Sequence, residues 1–139
     1  MTPRRVSGSR SCTRADARVR LSQAELWVEM AGLALAAESA RETETTVAAG
    51  CAVLAGIAAA DAICCAVTGM RYRGEDHRRA ADFLSDVTGD TALGKKLREL
   101  VDLKDAGHYG LAGIGLSKAR MAVRRAESLV SEAKRRVVG

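Results

Sequence analysis

At 139 residues the chain has the size of one domain and can bury a core without help from metal or disulfides. Its 47% apolar share is dominated by alanine, with Trp27, Tyr72, Phe83 and Tyr109 as its only aromatics, a mixture that argues for close-packed helices and against a sheet protein. The net charge of +5 is carried by the first twenty residues, where six arginines oppose Asp16 alone, so the terminus is basic and the remainder is balanced.

Residues 1–12 are rich in Ser, Gly and Arg and lack periodicity, which reads as a disordered basic arm ahead of a single domain over 13–139. Such an arm suits nonspecific phosphate contacts or an acidic partner surface, but it has no interleaved aromatics to read bases. Thr13 is the predicted N-cap of a first helix over 14–38, with Val19, Leu26, Trp27, Met30, Leu33, Ala34 and Ala37 as its core-facing set. A second helix, from about 42–45 to 67, is apolar on every face except at Asp61. It is long enough to span a bilayer, yet it is rich in Ala and Gly, and a mid-span Asp costs about 2.5–3.5 kcal/mol on insertion. It therefore reads as the central helix of a bundle, not a membrane span, with Asp61 paired to a donor from another helix.

A third helix is predicted over Glu75–Val87, burying Ala80, Phe83, Leu84 and Val87 and ending at Gly89. Asp90 or Thr91 caps a fourth, whose Leu93, Leu97, Leu100 and Val101 form one stripe and which frays at Gly107. Residues 107–116 read as a flexible glycine-containing connection, and Ser117 caps a last helix with Ala119, Ala122, Val123, Ala126, Leu129, Val130, Ala133 and Val137 along one face. The expected fold is all-α, an antiparallel up-and-down bundle of four to five helices. Cys12, Cys51, Cys64 and Cys65 form no CxxC pair and lie at no metal-ligand spacing from a histidine, so they read as buried thiols in a reducing cytoplasm, with no metal or cofactor expected. The basic start lacks the apolar stretch of a secretory signal.

The candidate chemistry gathers at the only two histidines, each in a polar joint between apolar runs. RNA cleavage without metal needs a base, an acid and a cation over the phosphorane, roles open to His and Arg near neutral pH. In the later joint His108 is the candidate acid or base, Lys104 the cation, Asp105 the group orienting the imidazole, and Tyr109 a stacking or hydrogen-bonding contact. In the earlier joint Arg71 and His77 are the catalytic candidates, and Arg73, Arg78 and Arg79 extend a cationic edge suited to phosphates. The alternative for both is a structural joint with solvated charges.

The order of these pieces resembles the HEPN family: the apolar helix with Ala58-Ala59-Ala60-Asp61-Ala62, then Asp76-His77, then Leu103-Lys104-Asp105-Ala106-Gly107-His108-Tyr109-Gly110 before an Ala-rich last helix. The resemblance covers about residues 20–137. It implies a helical bundle that dimerises and, in active members, a metal-independent ribonuclease of toxin or phage-defence systems, often beside a nucleotidyltransferase-like antitoxin. Active members carry Arg, four to six residues, then His before the last helix. Here His108 matches the histidine, Lys104 replaces the arginine with three residues between, and Tyr109 follows directly. Arg71 to His77 satisfies the literal spacing but lies two helices early. The implied function is RNA or nucleotide binding with ribonuclease activity, and the alternative is an inactive protein-interaction module.

Overall fold

A computed structural model describes residues 8–36, 41–74, 76–108 and 113–138, with side chains described at all of these except 77 and 105–108. Its elements are β1 (Ser9–Ser11), α1 (Arg14–Leu35), α2 (Glu42–Thr68), β2 (Met70–Tyr72), α3 (His77–Thr88), α4 (Thr91–His108) and α5 (Leu116–Val138). The architecture is the expected all-α up-and-down bundle, with a short antiparallel ribbon of β1 and β2 as its one addition among the described residues.

Local chemistry accounts for the helix ends. Thr13 and Asp16 form a capping box, each side chain accepting from the other's backbone N–H, at 3.0 and 2.9 Å. Gly69 ends α2 in the left-handed region at φ 71°, turning the chain into β2, and Gly89 closes α3 in the same way at φ 67°. Asp76 caps α3, which starts two residues later than the sequence suggests, and the Asp90 carboxylate accepts from Ala92 N–H at the start of α4. α5 opens at Leu116, with Ala119 N–H bonded to the Gly115 carbonyl, so the cap position lies two residues before the expected Ser117. α4 continues past Gly107 to His108, so the expected fraying point lies inside the helix.

α2 is the central helix and packs chiefly against α1 and α5, with α4 on a third side. By length and composition it is the one described helix apolar enough to cross a membrane, but two-thirds of that stretch is buried inside the bundle. Its inner surface is mostly alanine, with Ile63 fully enclosed. Small residues bring backbones close elsewhere too. A Cβ at Gly94 of α4 would lie 2.7 Å from the Ala81 carbonyl of α3 and nearer still to Ser85 Oγ. Gly94→Ala is therefore expected to destabilise the bundle by about 1–3 kcal/mol, despite a helix-propensity gain of about 1 kcal/mol. A urea midpoint at or above wild type would contradict that close approach.

The first helix departs from expectation. It buries Ala17, Leu21, Ala24 and Ala31, while Val19, Leu26, Met30 and Leu33 are 55, 58, 44 and 67% exposed. Of the expected core-facing set Trp27 does pack against the core, but these four point outward because the partner surface on α2 is lined with alanine, and two small-residue faces pack closer than a large face could.

Two further expectations are corrected. Residues 9–11, assigned to a disordered arm, form β1 with the register Ser9–Tyr72, Arg10–Arg71 and Ser11–Met70. Cys12 and Cys65, expected as free thiols, are joined by a disulfide, and only Cys51 and Cys64 are free and buried. The case for a reducing compartment built on four free thiols loses its basis. Cys12 N–H also donates to the Gly69 carbonyl at 2.8 Å, so the arm is held at its base by backbone as well as sulfur. Residues 1–7 lie outside the described residues.

Candidate phosphate-binding notch

Asp61 lies on α2 with its side chain 12% exposed, and a carboxylate so enclosed requires a counter-charge. Arg20 of α1 supplies it: Nε donates to Oδ2 at 3.0 Å and Nη2 lies 2.9 Å from the same oxygen. Nη1 of Arg20 is held by Gln23 Oε1 at 2.6 Å. Arg71 of β2 places Nη1 3.9 Å from Asp61 Oδ2, and its buried Nε has no hydrogen-bond partner among the described residues. Burial pushes the Asp61 carboxyl above the ordinary aspartate range, against the pull of Arg20, Arg71 and Arg73.

Arg20 and Asp61 line a cavity of about 200 Å³ whose walls also include Tyr72, Arg73 and, on the apolar side, Phe83 and Val101. The Gly69 turn and the β1–β2 ladder bring β2 against the end of α2, and Arg10 stands directly across from Arg71. Like charges directly opposed on a ribbon cost up to about 1 kcal/mol, a cost this pairing carries. Arg20 and Arg71 pair with the Asp61 carboxylate, and Arg73, on the cavity wall, adds a third positive charge that acts on it from further away. Chemically, this notch can hold an anion, with the Tyr72 ring beside it.

Cys64 also borders the cavity, and burial, reinforced by Asp61, pushes its thiol up to about 12. It stays protonated and unreactive beside the bonded Cys65. Among the described residues, no three His, Cys, Asp or Glu side chains gather to hold a metal ion.

Of the residues predicted from sequence, Arg73 lines this notch and Arg71 reaches its carboxylate, Asp61, from the neighbouring strand position. His77 opens α3 a few residues beyond it, though its side chain lies outside the described set. Arg78 and Arg79 are exposed on the first turn of α3, the backbone of one and the side chain of the other engaged by Asp76. Lys104 lies elsewhere. It is half-buried and lines a separate apolar cavity of about 270 Å³ with Ala49, Val53, Leu54, Leu103 and Ile114. Asp105 and His108 belong to α4, but their side chains, like all of Tyr109, lie outside the described residues. The far side of that connection is anchored: Gly113 N–H donates to Glu42 and Ile114 N–H to Thr46 Oγ1, at 2.8 and 2.9 Å.

Arg20 was not singled out as a site residue in the sequence, although a partner for Asp61 was required. The available signal was its position at the edge of the buried α1 face, between Ala17, Leu21 and Ala24. Comparison with family models, characterised proteins and solved structures finds no match to this chain.

Proposed function

We propose that this protein is a HEPN-like helical domain that binds RNA or a nucleotide through its phosphates, in a toxin–antitoxin or defence setting. The observation that carries the reading is the cationic surplus at the notch, where Arg20, Arg71 and Arg73 face the single carboxylate of Asp61 beside Tyr72. Guanidinium groups match phosphate oxygens, and an aromatic ring beside them suits an unpaired base. The same reading includes a homodimer, a partner such as a nucleotidyltransferase-like antitoxin, and metal-independent ribonuclease chemistry at His77 or His108.

Arg71→Ala and Arg73→Ala are each expected to weaken single-stranded RNA binding by about tenfold, and each lost phosphate contact lowers the salt slope by about 0.7. Asp61→Asn, which removes the opposing charge, is expected to tighten binding. Cleavage is tested on the same RNA in EDTA, comparing wild type with His77→Ala/His108→Ala. Cleavage lost in the double variant supports a ribonuclease. Binding without cleavage supports a non-catalytic RNA domain, and RNA binding that ignores Arg71 and Arg73 overturns the reading.

The second reading, a catalytically inactive protein-interaction module, is favoured by Lys104. A cation working on phosphate would meet it in a polar setting, whereas Lys104 borders an apolar cavity.

A further inference from the structure

We infer that the outer face of α1 is a self-docking seam through which two copies of this chain pair antiparallel. Val19, Leu26, Met30 and Leu33 recur at intervals of seven, four and three, the spacing of the apolar seam in a coiled coil. They line the side of α1 opposite Ala17, Leu21, Ala24 and Ala31, so the helix has two apolar faces and the bundle covers only one. Four large apolar side chains in one exposed row mark an interaction surface, unlike scattered exposed residues.

Charge chooses the occupant. The first half of α1 carries exposed Arg14 and Arg18, the second half exposed Glu25 and Glu29, and none of the four forms an ion pair among the described residues. In a parallel pair each flank of the helix faces the opposite flank of the partner copy, so these opposite charges would not meet. An antiparallel copy, with its twofold axis between Ser22 and Gln23, sets Val19 against the partner copy's Leu26 and brings Arg18 between the partner copy's Glu25 and Glu29. Gln23 and Ser22, both exposed, are small or flexible enough to let the helices cross at the axis. In this register Met30 meets the partner copy's Ala15 and Leu33 extends past the start of the partner copy's helix, so the self-complementary contact that an isologous twofold requires is centred on Val19, Leu26 and Arg18.

This seam deepens the homodimer part of the proposed reading and does not depend on RNA. The test is light scattering on the full chain up to its solubility limit, with far-UV circular dichroism to report the helical fold. Wild type should be a dimer, and Leu26→Glu should raise its dissociation constant by roughly thirtyfold or more while remaining helical. Arg18→Glu should weaken the dimer, and adding Glu25→Arg/Glu29→Arg should restore it. A dimer indifferent to Leu26→Glu and to the charge exchange overturns the seam but leaves the homodimer reading standing. A wild-type monomer at every concentration overturns both.

Discussion

Removal of the Cys12–Cys65 bridge is expected to lower the unfolding free energy by about 2–4 kcal/mol, the largest single loss predicted for this fold. The bridge spans a separation of 53 residues, and closing a loop of that size removes about 4 kcal/mol of chain entropy from the unfolded state, which serves as an upper value. The arm has little else to hold it. β1 has three residues in a two-stranded ribbon, a length that is marginal alone. Urea unfolding of wild type with and without dithiothreitol, beside Cys65→Ala, measures the effect. Reductant should lower the wild-type midpoint to near that of Cys65→Ala and leave the variant unchanged. Equal midpoints for all three would contradict the bridge as a stabilising link.

The second large effect is expected at Arg20. Arg20→Met leaves the Asp61 carboxylate, 12% exposed, with Arg71 at 3.9 Å as its nearest remaining cation. Breaking a fully buried pair costs about 3–5 kcal/mol; with the Arg20 side chain 23% exposed, about 2–3 kcal/mol is expected at neutral pH. The loss should depend on pH in a defined direction. Burial already raises the folded-state carboxyl above its unfolded value of 3.8, and loss of Arg20 raises it further. The protonated fold is then favoured below 3.8, and that contribution disappears as pH rises through the folded value. The gap between Arg20→Met and wild type should therefore narrow on acidification. Adding Asp61→Leu to Arg20→Met should recover most of the stability at neutral pH, because no buried charge is left unpaired. A pH-independent gap, or no rescue by the second change, would show that Arg20 acts through packing of its stem.

Much of the framework was legible in the sequence because local rules govern it. The Thr13 cap, the Gly89 terminus and the apolar run of α2 each announce themselves within a few residues. The need for a cation at Asp61 was legible from burial alone, but its identity was not, since Arg20 stands 41 residues away. α1 misled because its helical period marks two faces, and residue size favours Val19, Leu26, Met30 and Leu33 while the alanine surface of α2 selects the smaller set. Cys64 and Cys65 are adjacent, and nothing local tells which one faces Cys12. In the candidate site, Arg71 and Arg73 were legible as a basic pair. Their meeting with Arg20 across α2 depends on the β1–β2 ribbon, which a three-residue strand hardly signals.

The alanine lining of α2 also bears on how the fold responds to temperature. Each alanine removes little apolar area from water, so the rise in heat capacity on unfolding should fall below the usual ~12–15 cal/mol/K per residue. The stability curve of such a bundle is broad and flat, with its cold limit far from the working range, and its cohesion comes from backbone proximity and dispersion more than from hydration entropy.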